Sequence, residues 1–283
     1  MALRINYNFE SISAQRNLAG TQNSFFRAIE QLSSGLRINK AADDTAGLAV
    51  SEKLKNQVRG LNQAQRNAQD SVSLLQTAEG ALNETHSILA RMRELAVQSA
   101  NDTLTNADRL HIQNEVNQLL SEVDRIAAAT QFNTIALLNG AGQATGLQFH
   151  VGPNNIVASS VDEITFGFTS ASTTGLSIAN LSTAQSLTTQ SGANAAISVL
   201  DTAIETVSTR RGSIGAMQNR LESTINSLGI AAENTGAANS RIRDADVAAS
   251  VSEMVRNQIL QQSTMAVLAQ ANQAPQMALQ LLK

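Results

Sequence analysis

From Leu61 to Ser99 an apolar or small residue recurs at steps of three and four without a break. The series is Leu61, Ala64, Ala68, Val72, Leu75, Ala78, Leu82, Thr85, Leu89, Met92, Ala96 and Ser99. Such spacing keeps one face of an α-helix apolar turn after turn, as in a coiled-coil seam. At ~1.5 Å per residue the helix is on the order of 60 Å long. ANDTLTNAD (100–108) then reads as a polar turn, and Ile112, Val116, Leu119, Val123 and Ile126 continue the spacing. A short turn between two such stripes makes antiparallel neighbours. The pattern returns in 193–238 through Ile197, Leu200, Ile204, Val207, Ile214, Met217, Leu221, Ile225 and Leu228. Gly212 and Gly215 interrupt it, and close helix packing is one account of them.

Composition agrees with long packed helices rather than a large globular core. Apolar residues are 42% of the 283, aromatics only 3%, with no Trp, so Ala, Leu, Ile and Val must fill the interior. Aromatics bury the most area per residue in ordinary cores. Between the helical arms, 131–191 changes character. QFNTIALLNGAGQATGLQFHVGPNN and VDEITFGFTS carry glycine punctuation and strand-like residues, followed by a Ser/Thr-rich stretch. The expected fold class is mainly α: a long antiparallel helical bundle or coiled coil with a small β-hairpin-rich middle and terminal helices that pair in a polymer.

Chemistry has little foothold. The net charge of −3 gives no electrostatic case for nucleic acid or an anionic membrane. Cysteine is absent, which removes disulfides and thiolate metal sites. No apolar run of signal-peptide length opens the chain, and none reaches the ~20 residues of a membrane span. His86, His111 and His150 are scattered. NGAGQATGL lacks the Lys-Ser/Thr of a phosphate loop. Asn83, Asn101 and Asn180 open N-glycosylation triplets, which without a secretory signal read as chance. The expectation is no catalytic residue, no metal and no cofactor. RMRELAVQSAN (91–101) has two readings. Arg91 and Leu95, with Glu115 from the next helix, form an exposed charged and apolar patch, or the stretch is a solvated face with an i,i+3 ion pair.

Near each end lies a similar stretch: SSGLRINKAADDTAGLAVSEKL (33–54) and SRIRDADVAASV (240–251). Gly35 can stop a helix, and Asp43, Asp44 or Thr45 can start one. Adjacent carboxylates diverge by about 100° on a helix, so capping is the stronger reading of Asp43-Asp44 than an ion site. Asp244 and Asp246 read the same way, with Arg37, Arg241 and Arg243 beside them. Outside these elbows, Leu18, Gln22, Phe25, Ile29, Leu32 and Leu36 form one stripe. Val247, Val251, Met254, Gln258, Met265 and Leu268 form another, until Pro275 interrupts it. Each stripe buries too little to offset a backbone ordering cost of ~1–2 kcal/mol per residue. The ends therefore point to an assembly protein whose termini order on polymerisation.

Longer runs carry a family resemblance. LSSGLRINKAADDTAGLAVSEKL, RMRELAVQSAND, EVDRIAAATQFNTIALLNG and RIRDADVAASVSEMVRNQILQQSTMAVLAQANQAPQMALQLL resemble bacterial flagellins at both ends, over roughly 1–140 and 193–283. The resemblance implies a subunit of the extracellular flagellar filament, and no enzyme. It implies an inner tube built from 1–42 and 241–283, and an outer tube from 43–192 and 193–240, without larger outer domains. Inner-tube packing then falls to Leu18, Phe25, Ile29, Leu32, Val251, Met254, Met265 and Leu268. Gly35, Arg37, Asp43, Asp44, Arg241, Arg243, Asp244 and Asp246 make the elbow. The implied partners are further copies of the chain, an export chaperone on about 245–283, the filament cap, and a host toll-like receptor at Arg91, Leu95 and Glu115. Export runs without a cleaved signal. A minor flagellin or hook–filament junction protein is the alternative; a secreted enzyme on flagellin-like ends is weaker.

Overall fold

The computed structural model describes residues 8–140, 146–154, 162–182 and 187–280, with side chains to 273. Five long helices carry the chain: α1 (Phe9–Ser34), α2 (Thr45–Ser99), α3 (Asn106–Ala129), α4 (Gln190–Arg243) and α5 (Val247–Gln280). Four short strands lie between α3 and α4: β1 (Gln131–Phe132), β2 (Ile135–Ala136), β3 (Leu147–His150) and β4 (Glu163–Phe166). They pair as two antiparallel hairpins, with Phe132 opposite Ile135 and His150 opposite Glu163. Asn133 and Thr134 both take positive φ, 47° and 66°, which gives a two-residue loop the twist its strands require.

The chain divides into two compact units, Met1–Val58 with Glu233–Lys283, and Arg59–Ala232. In the second, α2, α3 and α4 share one core. Leu75, Ala78, Leu82, Leu89, Met92 and Ala96 of α2 meet Val116 and Val123 of α3 and Leu200, Val207, Ile214 and Leu221 of α4, all buried. Direction follows from side-chain pairs. Arg93 bonds Asp201 at 2.5 Å, Gln218 donates to Glu79 at 3.0 Å, and Leu61 and Ala64 cluster with Leu228. One helix descends as the other climbs, so α2 and α4 are antiparallel.

The turn between α2 and α3 has its own chemistry. Thr105 and Asp108 form a reciprocal capping box at the start of α3. Arg109, only 7% exposed, donates to the carbonyls of Ser99 and Asn101 at 2.9 and 3.0 Å and to Asn106 Oδ1 at 3.0 Å. Buried Gln113 uses both ends of its amide, accepting from Leu187 N and donating to Leu181 O. Asp124 accepts from the Thr173 backbone N–H and hydroxyl at 2.8 and 2.9 Å. Arg210 reaches the carbonyls of Ser170 and Gly175. A Cβ at Gly175 would lie 2.2 Å from the Ser170 carbonyl, so only glycine allows this crossing. These polar clamps fix the irregular segment onto the bundle.

Several expectations change. The covered face of α3 steps through Leu120, and Leu119 is only half-buried. The α5 backbone stays helical through 275 although a proline there cannot donate to the Ala271 carbonyl, which accepts from Asn8 Nδ2 instead. NGAGQATGL falls largely outside the described residues. A Cβ at Gly212 or Gly215 would meet nothing within 4 Å, so close packing does not account for these glycines. Gly212→Ala should therefore stabilise the protein by about 0.5–1 kcal/mol through helix propensity alone. A urea melt checks this; a lower midpoint would show a hidden steric demand.

Candidate functional site

In the first unit, α1 and α5 lie side by side and antiparallel. Asn8 caps α1 by accepting from Ser11 N, and its Nδ2 donates to the Ala271 carbonyl at 2.8 Å. Ser11 Oγ meets Asn272 Oδ1 at 2.9 Å. At the other end Gly35 O accepts from Ala245 N at 2.9 Å. On α1 the covered residues step through Ala14, Leu18, Thr21, Phe25, Ala28 and Leu32. On α5 they step through Ser250, Met254, Asn257, Gln261, Thr264, Leu268 and Ala271. Both series alternate fours and threes, the spacing of a two-helix seam.

The α5 seam is not the stripe the sequence suggests. Met254 and Leu268 are half-covered, but Val247, Val251 and Met265 face outward, along with Val255, Ile259, Leu260 and Val267. On α1, Leu18, Phe25 and Leu32 turn partly inward, while Phe9, Ile12, Phe26 and Ile29 are exposed. Phe26 is 64% and Ile259 61% exposed. Apolar residues surround most of the α5 circumference, so its own periodicity cannot choose a face. The fully buried seam positions, Ala14, Ala28, Ser250, Asn257 and Ala271, are small or polar, while Leu18, Phe25, Leu32, Met254 and Leu268 are half-covered and the other large apolar residues lie outside.

The elbows meet as two short antiparallel pieces of chain. Gly35 ends α1 in the left-handed conformation, φ 70°, and its N–H bonds the Gln31 carbonyl. Leu36 bridges Asp244, Arg37 N donates to Arg243 O at 2.7 Å, and the Arg37 guanidinium donates to Ile242 O at 2.6 Å. Asp44 caps the start of α2 through Gly47 N at 2.8 Å, and Asp246 caps α5 through Ala249 N at 3.1 Å. Asp244 accepts from Ser240 Oγ. Arg243 pairs with Glu52. Arg241 and Arg243 belong to the last turn of α4, where cations favour the helix dipole; Arg241 is exposed. The second elbow is thus shorter than its sequence echo implies.

Asp43 accepts from Lys40 N at 3.0 Å and Asn39 N at 3.2 Å, with Arg27 at 3.9 Å. The Lys40 N–H, then the Asn39 N–H and the Arg27 charge, hold its carboxyl below the ordinary aspartate value. A depressed carboxyl stabilises the fold above its ordinary pKa and loses that contribution as pH falls through the lower, folded value. Acid titration should therefore loosen the Asn39–Lys40 amides below about pH 4, and Asp43→Asn should remove the step. Amide exchange at those positions is the readout; an unchanged titration in Asp43→Asn would refute the assignment.

On the second unit, Arg91 and Glu115 come together at 3.0 Å, with Glu94 3.2 Å from Arg91. All three are exposed. The Glu115 hydrogen bond, ahead of that to Glu94, raises the Arg91 pKa. Leu95 does not join them: at 2% exposure it lies in the core, three residues beyond buried Met92 on the same face. Of the charged and apolar patch expected here, the charged residues are exposed and Leu95 is not. His86, His111 and His150 sit on α2, α3 and β3. No group of His, Cys, Asp or Glu among the described residues could hold a metal, and no described helix is long and apolar enough to cross a membrane.

The N-terminal helical region of bacterial flagellin matches residues 5–143, and the C-terminal helical region matches 197–282. The chain belongs to the bacterial flagellin family. A flagellin of Halalkalibacterium halodurans is 47% identical over 279 residues, covering 99% of each chain. A flagellin of Treponema pallidum is 45% identical over 290 aligned positions, again with 99% of each covered. A crystal structure of Bacillus cereus flagellin is 34% identical, with a TM-score of 0.48 over 58% of this chain and 88% of that one. Flagellins are structural proteins, and this family member is not an enzyme. The matched regions contain all of α1, α2, α3 and α5, and most of α4. Hence both exposed terminal faces and both elbows lie within what the family shares.

Sequence reasoning passed over Arg109, Gln113, Asp124 and Arg210. Gln113 left a signal, a polar residue beside a stripe position. Arg109 left none, because its acceptors are backbone carbonyls.

Proposed function

We propose that the chain polymerises through the outward apolar faces of α1 and α5. It is a structural subunit of the extracellular flagellar filament and acts in swimming motility. One observation carries the assembly route: Phe9, Ile12, Phe26 and Ile29 of α1 and seven large apolar side chains of α5 are exposed, while the residues fully buried in the seam between these helices are Ala14, Ala28, Ser250, Asn257 and Ala271. Burial of an apolar side chain is worth ~1.5–3 kcal/mol, so further copies of the chain are the natural cover. On this reading 1–42 and 241–283 build the inner tube, with Leu18, Phe25, Ile29, Leu32, Val251, Met254, Met265 and Leu268 in its packing. Residues 43–192 and 193–240 build the outer tube. The paired elbows join them.

Export without a cleaved signal, a chaperone on the α5 segment and a cap at the growing end complete the assembly route. The exposed Arg91–Glu115 pair is the part of the outer-tube face we assign to host toll-like receptor contact, with Leu95 supporting it from below. An unchanged receptor dose response for soluble Arg91→Ala, Glu115→Ala protein would exclude that assignment. For assembly the test is direct. Purified chain induced to polymerise should give helical filaments of uniform diameter by electron microscopy; amorphous aggregate alone would reject the route.

A further inference from the structure

The seam between α1 and α5 encloses a polar group that has no partner among the described residues. Asn257 is 5% exposed, its Nδ2 is fully enclosed, and its amide makes no hydrogen bond among the described residues. Counting along the chain from the Ser11–Asn272 contact and from the Leu36–Asp244 bridge sets Asn257 level with residues 23–26, of which only Phe25 is on the covered face of α1. An aromatic ring offers the amide no carbonyl or hydroxyl. Gln261 and Thr264 follow on the same face of α5. When the helices part, water hydrates Asn257 Nδ2; when they close, that hydration is lost without replacement. A polar residue in a two-helix seam lowers its stability in this way. Apolar residues were available on α5, and seven of them face outward instead.

We propose that Asn257 keeps α1 and α5 separable in the dilute chain and thereby sets the concentration at which chains assemble. The inference rests on the assembly reading above. If only the closed pair presents the outward apolar faces in register, the apparent affinity between chains scales with the closed fraction. Asn257 lowers that fraction. The ordering of the ends is then deferred to the polymer, where neighbouring copies offset it. Residues of the second unit take no part, so its core is unaffected by changes at 257.

The test compares wild type with Asn257→Leu and, as a second apolar variant of adaptable shape, Asn257→Met. In dilute protein, the rate of protease cleavage within α1 and α5 should fall about tenfold in both variants, equivalent to about 1.4 kcal/mol. The critical concentration for filament formation should fall by a similar factor. Asn257→Ser, which keeps a polar group, should stay near wild type. Wild-type cleavage rates in both apolar variants would overturn the inference, as would wild-type ends already fully protected in dilute solution. Failure of the wild type to form filaments at any concentration would instead strike the assembly reading, while the cleavage arm would still decide the role of Asn257.

Discussion

Removal of residues 260–283 should abolish filament formation while leaving the second unit folded. The deletion takes Gln261, Thr264, Leu268 and Ala271 from the seam, together with outward Met265 and Val267. It also removes the acceptors of Asn8 and Ser11, so the start of α1 loses both of its cross-helix bonds. What remains of α5 is too short to hold α1, and an isolated helix of that length is marginal in water. The core of α2, α3 and α4 lies within Arg59–Ala232 and shares no residue with the deleted segment. Circular dichroism should therefore show a cooperative melt of the second unit at its full-length midpoint, with reduced helical signal. Electron microscopy should show no filaments under conditions where the full chain assembles. Normal filaments from the truncated chain would sink the terminal-packing route.

Replacing Arg109 by Met should destabilise the second unit by about 1.5–3 kcal/mol, the range for hydrogen bonds made by a charged group. The guanidinium covers the last carbonyl of α2 at Ser99, reaches on to Asn101, and ties both to Asn106 at the start of α3. At a helix C-terminus its charge also opposes the negative end of the dipole. Met keeps the apolar stem but leaves these groups without donors. Arg109→Lys should recover little, because one ammonium cannot reproduce a planar fork aimed at three acceptors. A denaturant melt followed at the helical signal measures the loss. A change below about 0.5 kcal/mol, the range of ordinary surface substitutions, would mean that water replaces the clamp.

How far the sequence reveals these features depends on what each one is made of. The stripe from Leu61 to Ser99 sits on a helix with one partner-facing side, and its periodicity reports burial directly: Leu75, Leu82, Leu89 and Met92 are all enclosed. The capping elbows are also legible. Gly35 and the Asp44 and Asp246 carboxylates act within four residues of themselves, so local chemistry suffices. Leu95 shows the limit of that local reading. Between Arg91 and Glu94 on one side and Ala96 on the other, either exposure fits the pattern, and only packing against α3 and α4 turns it inward.

Sequence by itself determined the helical class, the approximate extent of the arms, the helix stops and the absence of thiol chemistry. Each depends on intrinsic backbone preference or on an unbroken 3/4 repeat, which are properties of neighbours along the chain. Tertiary structure decided which face of α5 meets α1, that Val251 and Met265 point away from it, that Asn257 is shut in without a partner, and that Arg109 clamps a turn. These are relations between residues far apart in sequence. On a helix apolar around most of its circumference several faces satisfy the same pattern, and close approach of a particular partner selects among them.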